Sequence, residues 1–201
     1  MATFLLIRHG SNDSMGRFVA GRIQGIHLNH EGRVQAQQLV ERLSLIPVER
    51  ILSSPMERCR ETAAPLSDKT GLEVAVSEAI TEVDFGQWAG QKVEDLRAQP
   101  AWRSFRANRG RVQIPGGELM LQVQQRMVGE LERLRQRFPD SVTAVYSHGD
   151  PIRTVLAHYL GIPLDLMNRM EVKPASVSVI EVSEAGPRLI CLNDTGRLVH
   201  F

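Results

Sequence analysis

Two stretches of the chain end in the same way. Thr3-Phe4-Leu5-Leu6-Ile7 runs straight into Arg8-His9-Gly10, and Val142-Thr143-Ala144-Val145-Tyr146 runs into Ser147-His148-Gly149. A short apolar run of this kind reads as a buried strand. A third run, Arg50 to Ser53, leads into Ser54-Pro55-Met56-Glu57-Arg58. Each of the three passes into a helical pattern, directly or after a loop. Strands alternating with amphipathic stretches restrict the chain to an α/β architecture. In an open α/β sheet, ligands gather at the carboxyl ends of the strands. The repeated ending therefore brings Arg8, His9, Arg58 and His148 towards one crevice.

The remaining pattern extends this reading. Further strands are predicted at Glu73–Val76, Ser176–Val182 and Arg188–Leu192. The last two flank Ala185-Gly186-Pro187, which predicts a hairpin and one antiparallel strand. One helix carries Val34, Leu39, Val40 and Leu43 on a face, with Asn29 or His30 as its cap. A second carries Leu119, Val123, Met127, Leu131, Leu134 and Phe138 as a core-packing stripe. A third carries Ile152, Val155, Leu156 and Tyr159, and Gly161 ends it. The segment from Asp84 to Gly117 holds both tryptophans and reads as a lid inserted into a single domain.

Two helix starts carry a chemical clue. Ser54 and Glu57 have the spacing of a capping box, with Pro55 at the first helical position and Arg58 in the first turn. Asp150 is a second cap, followed by Pro151 and Arg153. A cation costs a few tenths of a kcal/mol, up to ~1, at a helix N-terminus. A bound anion removes that cost, and a phosphate matches the guanidinium fork. Neutral His9 is then a nucleophile towards phosphorus, with Arg8 beside it to neutralise phosphoryl oxygens. His148 is placed to donate a hydrogen bond to the same group. The leaving oxygen needs a proton. Glu82 is the first candidate and Asp84 the second, because the neighbouring Phe85 and Trp88 raise a carboxyl pKa by desolvation.

Composition narrows the partners. A net charge of +1 over 201 residues gives no general attraction to nucleic acid or membrane. No run approaches the ~20 apolar residues of a membrane span. Cys59 and Cys191 lack metal-ligand spacing and read as small buried side chains of a cytoplasmic protein. His27, His30, His158 and His200 read as structural or solvated, and a metal site is not expected. Arg97, Arg103, Arg106, Arg109 and Arg111 form a basic stretch without an acid. It is either a solvated face or a surface that attracts an anionic substrate.

These motifs, in this order, resemble the histidine phosphatase superfamily, also called phosphoglycerate-mutase-like. The matching pieces are Arg8-His9-Gly10, Leu28-Asn29-His30-Glu31-Gly32, Ser53-Ser54-Pro55 with Arg58 and Glu61-Thr62-Ala63, Glu82 with Asp84-Phe85-Gly86-Gln87-Trp88, Pro115-Gly116-Gly117-Glu118, and Ser147-His148-Gly149. The resemblance implies a three-layer sandwich with a mostly parallel central sheet, one antiparallel edge strand, helices on both faces and an inserted lid over about 84–117. It implies a metal-independent phosphomonoesterase without cofactor, acting on a small phosphorylated metabolite. His9 would carry the phosphoryl group, Arg8, Arg58 and His148 would complete the phosphate pocket, and Glu82 would exchange protons. Gly149, Asn12 and Ser14 join the list of phosphate-binding candidates. The usual asparagine position after the first motif holds Met15, and the long basic stretch of the mutases is absent. The second departure favours the phosphatase branch over a cofactor-dependent phosphoglycerate mutase. A non-catalytic phosphate-binding module is a further alternative. A homodimer is compatible with the sequence, since the strand over Val177–Val182 could pair within the sheet or across two copies.

Overall fold

The computed structural model describes residues 1–196. In chain order the elements are β1 (Ala2–Arg8), α1 (His30–Arg42), β2 (Arg50–Ser53), α2 (Glu57–Thr70), β3 (Val74–Val76), α3 (Val93–Ala98), α4 (Pro100–Ala107), α5 (Met120–Arg137), β4 (Val142–Ser147), α6 (Gly149–Tyr159), β5 (Val177–Ser183) and β6 (Gly186–Asp194). The strands form one six-stranded sheet in the order β3-β2-β4-β1-β5-β6. β1, β2, β3 and β4 are mutually parallel, while β5 runs antiparallel to β1 and to β6, so the antiparallel pairings are confined to one edge. β5 pairs on both sides within the chain.

Alternation along β1 divides the core. Phe4 and Leu6 pack with Val123, Met127 and Leu131 of α5 and Ile152, Val155 and Leu156 of α6. Leu5 and Ile7 face the other way, onto Leu39 and Leu43 of α1 and Cys59, Ala63 and Leu66 of α2. Each aliphatic side chain buried in this way contributes roughly 1.5–3 kcal/mol. The sheet is thus the middle of three layers.

Several sequence expectations are corrected. The buried face of α1 is Gly32, Ala36 and Leu39, continued by Leu43 at its C-cap, while Val34 is exposed and Val40 half-buried. The 3.6-residue period starts from Gly32, where the helix meets the loop after β1. The Ser54–Glu57 capping box does not form. The N-cap of α2 is Met56 and makes no side-chain cap bond, because Ser54 bonds to His148 and Glu57 accepts from the Gly25 amide. Nor does Asp150 cap α6. That helix begins at Gly149 with His148 as its N-cap, and Asp150 is drawn into ion pairs. Segment 84–117 contains two short helices, α3 and α4. Phe85, Trp88, Trp102 and Phe105 of this segment cluster with ring centroids 5.1–6.4 Å apart and join the α5–α6 core. Cys59 is buried, but Cys191 lies half-buried on β6, the edge strand. His200 lies outside the described residues.

Candidate active site

Register brings the three strand ends together. Arg8 of β1 lies opposite Ser147 of β4, and Ser53 of β2 lies opposite Tyr146. The ladder continues one residue further, with the His9 amide donating to the Ser147 carbonyl at 3.0 Å and the Ser54 amide to the Tyr146 carbonyl at 2.9 Å. His9 and His148 therefore leave adjacent strands at the same level, and their ring centroids are 5.2 Å apart.

The surroundings of His9 fix its proton. Its Nδ1 sits 2.8 Å from the Gly10 carbonyl oxygen. A carbonyl only accepts, so Nδ1 carries the hydrogen and Nε2 carries the lone pair. Burial lowers the pKa of the ring well below the ordinary 6.5, and Arg58 and Arg8 lower it further. Neutral at physiological pH, His9 offers one unshared pair. The backbone beyond it is held tightly. The Gly10 amide donates to Thr62 Oγ1 at 3.0 Å, and a Cβ on Gly10 would lie 2.7 Å from the Gly32 carbonyl oxygen. A Cβ on Gly32 would lie 2.1 Å from the Ser11 carbonyl oxygen. Strand end and helix start meet backbone to backbone, which only glycine allows.

Arg58, buried in the first turn of α2, donates through Nη2 to the Gly21 carbonyl at 2.8 Å and faces His148 Nδ1 at 3.2 Å. On its other side, His148 Nε2 lies 2.8 Å from Ser54 Oγ. Burial depresses the pKa of His148 well below 6.5, with Arg58 and His9 adding to it. Arg8 donates to the Val172 carbonyl at 2.7 Å. Among the described residues, Arg8 Nε and Arg58 Nη1 are buried donors without an acceptor. Leaving such a donor unsatisfied costs about 1–3 kcal/mol, and an anion among these groups would satisfy both. Gly149 forms the floor, since a Cβ there would lie 3.3 Å from Arg153 Nη1 and 3.5 Å from Arg8 Nε.

Of the two carboxylate candidates, the structure brings Glu82 to the His148 imidazole. Its Oε2 is 3.7 Å from His148 Nδ1, and its Oε1 accepts the Val83 amide at 2.9 Å. Burial raises its pKa, Asp150 adds to that, and Arg58 opposes it. Asp84 is occupied locally, accepting the Gly86 amide at 2.9 Å. Asn12 and Ser14 follow β1 and bond to each other, Ser14 donating both amide and hydroxyl to Asn12 Oδ1.

The basic stretch splits into different fates. Arg109 is 1% exposed. It donates to Asp150 Oδ2 at 3.0 Å and lies over the Phe105 ring at 4.3 Å. Asp150 also accepts from Arg153 at 3.0 Å. Burial pushes the Asp150 carboxyl up, but Arg109, Arg153 and Arg106 outweigh it and hold it below the usual range. Arg111 is an exposed partner of Asp165. Four participants had no assigned role in the sequence reading: Ser54 as a bond to His148, Thr62 beneath Gly10, and the pair Glu118 and Arg126 behind Glu82. Ser54, Thr62 and Glu118 lie within matched motifs, whereas nothing in the local pattern marks Arg126. Among the described residues, no group of three or more His, Cys, Asp and Glu is arranged to hold a metal ion, and no helix is long and apolar enough to cross a membrane.

The sequence model of the histidine phosphatase superfamily, branch 1, matches residues 4–195. The chain belongs to this superfamily. Histidine phosphatases close to it include phosphoserine phosphatase 1 of Hydrogenobacter thermophilus, 31% identical over 206 residues, covering 100% of this chain and 96% of the relative. YhfR of Bacillus stearothermophilus superposes with a TM-score of 0.92 at 24% identity, over 98% of this chain and 99% of that one, and so shares the fold. A mycobacterial glucosyl-3-phosphoglycerate phosphatase superposes with a TM-score of 0.85 at 25% identity, over 95% and 98% of the two chains. The protein is a phosphoric monoester hydrolase of the histidine phosphatase superfamily.

Proposed function

We propose that the protein hydrolyses a small phosphorylated metabolite through a phosphohistidine on His9, without a metal ion. The observation that carries this reading is the fixed tautomer of His9: Nδ1–H is held by the Gly10 carbonyl, the lone pair is on Nε2, and the charges of Arg58 and Arg8 act on the ring. In the first step Nε2 attacks phosphorus, the N–P bond forms and the ester P–O bond breaks. Glu82, kept protonated by burial, gives its proton to the leaving oxygen. In the second step water attacks phosphorus, Glu82 takes the water proton back, the N–P bond breaks and inorganic phosphate leaves. Arg8 and Arg58 neutralise the equatorial oxygens in both steps. Arg58 Nη2 only donates, so with Arg58 on Nδ1 the His148 hydrogen sits on Nε2, towards Ser54. The Ser54 hydroxyl both accepts and donates, so it also supports the other tautomer, with Nδ1–H towards a phosphoryl oxygen once Arg58 turns to the phosphate.

Segment 84–117 serves as the lid, tied by Arg109 to Asp150 at the head of α6. The similarity to a phosphoserine phosphatase puts phosphoserine first among substrates to try. The two unpaired cysteines fit a reducing, cytoplasmic setting.

The test is phosphate release from a panel of phosphomonoesters and p-nitrophenyl phosphate in EDTA, for wild type and His9→Ala. Loss of the nucleophile lowers kcat by about 10³-fold or more, and acid-labile phosphate is trapped on wild type alone. Equal release by both proteins overturns the assignment. Label on His9 that passes to a second hydroxyl instead of water marks a mutase.

A further inference from the structure

We infer that Arg126, on α5, is the positioning residue of the proton donor; this rests on the reading of Glu82 as that donor. Glu82 lies in an irregular stretch, with no strand or helix to fix its carboxyl. Arg126 supplies the missing frame. Its Nη1 donates to the Ala79 carbonyl at 2.9 Å and the Thr81 carbonyl at 2.7 Å, and its Nη2 to the Glu82 carbonyl at 3.1 Å. One guanidinium therefore grips three carbonyls of the four residues that end at the acid. A planar fork does this, and a point charge such as lysine does not.

Arg126 is itself held. Its Nε donates to Glu118 Oε1 at 2.9 Å and its Nη2 to Oε2 at 3.1 Å. Glu118 Oε2 also accepts the Asp84 amide at 2.9 Å and Arg22 Nη2 at 2.9 Å, while Arg22 Nε reaches the Glu82 carbonyl at 2.9 Å. Burial raises the Glu118 carboxyl, but the bonds from Arg126 and the Asp84 amide lower it more, so it remains the ionised anchor of this clamp. None of these side chains is hydrogen-bonded to His9, His148 or Arg58. Beyond a small through-space lowering of the His148 pKa by the Arg126 charge, their effect on the reaction passes through the backbone of 79–84 to Glu82. A displacement of about 1 Å at a reacting group costs on the order of 10²-fold in rate.

A positioning role separates from a structural one by leaving group. Phenyl phosphate needs a proton on its departing oxygen far more than p-nitrophenyl phosphate does, and the two esters share a shape. The reading is kcat/KM, which reports the P–O cleavage step. Glu82→Gln is expected to lose about 10²-fold on phenyl phosphate, in the range of general acid catalysis, and under ~10-fold on the nitrophenyl ester. Arg126→Gln is expected to lose about 10–50-fold on phenyl phosphate and under ~3-fold on the other, a fraction of the misplacement cost. The double variant should fall within about 3-fold of Glu82→Gln alone, because the residues act as a unit. Equal losses by Arg126→Gln on both esters, or losses that multiply in the double variant, overturn the inference. Glu82→Gln losing equally on both esters overturns the acid assignment, and the inference with it; selective loss in Glu82→Gln with uniform loss in Arg126→Gln overturns the inference alone. If Arg126→Gln does not fold, Glu118→Gln, which removes the anchor and leaves the arginine, is read against the same outcomes.

Discussion

His9 and Glu82 are shifted in opposite senses by one cause, burial, acting on groups whose charged forms have opposite sign. Desolvation keeps the imidazole neutral below 6.5 and the carboxyl protonated above 4.5. In the proposed mechanism the reactive form of the free enzyme needs both. As pH rises, Glu82 ionises and kcat/KM falls; as pH drops, His9 protonates only well below its ordinary value, so the acid limb is displaced downwards. The expected profile is a bell centred on the acid side of neutrality, whose alkaline limb disappears in Glu82→Gln. Activity that climbs steadily from about pH 5 to 8 would contradict it. At this scale the strand ends made the convergence of Arg8, His9, Arg58 and His148 legible in the sequence. It misled at Ser54 and Asp150. Capping residues are the same short polar types that serve distant partners, and here the imidazole and Arg109 captured them. Arg126 was illegible because the three carbonyls it grips lie more than 40 residues away, and its nearer partner Glu118 forms no helix-spaced pair with it.

Among the elements, the strands were legible to within one or two residues, because a buried sheet imposes continuous apolar runs. α3 and α4 were not. They are short, and their burial comes from an aromatic cluster assembled in space rather than from a period; Pro100 at the first position of α4 was the one local sign. Arg109 ties this segment to α6 through a buried ion pair. Arg109→Ala leaves Asp150 with Arg153 as its remaining hydrogen-bonded partner and is expected to cost about 3 kcal/mol, the lower end for breaking such a pair. Arg103→Ala, on the exposed side of α4, should stay within ~0.5 kcal/mol. Urea unfolding midpoints of the two variants decide this, and equal midpoints would mean that the pair contributes nothing to the attachment.

For the whole molecule, the unsatisfied donors of the site predict that anions stabilise the fold. Inorganic phosphate at 100 times its Kd adds about 2.7 kcal/mol. In a chain of this size that raises Tm by roughly 5–10 °C. Arg58→Ala should lose most of the rise, and sulfate should reproduce part of it in wild type. An unchanged Tm in saturating phosphate would place the anion site elsewhere.

The contact between Gly10 and Gly32 reaches into genetics. In a library of random single substitutions scored only for lost activity, position 32 would rank beside His9, the proposed nucleophile, since any side chain there collides with the Ser11 carbonyl and displaces the turn that carries it. Its intolerance would invite a chemical role that a glycine, having no functional group, cannot fill. What such a map records at that position is a distance between two backbones, and double substitutions at 10 and 32 should find no compensating pair.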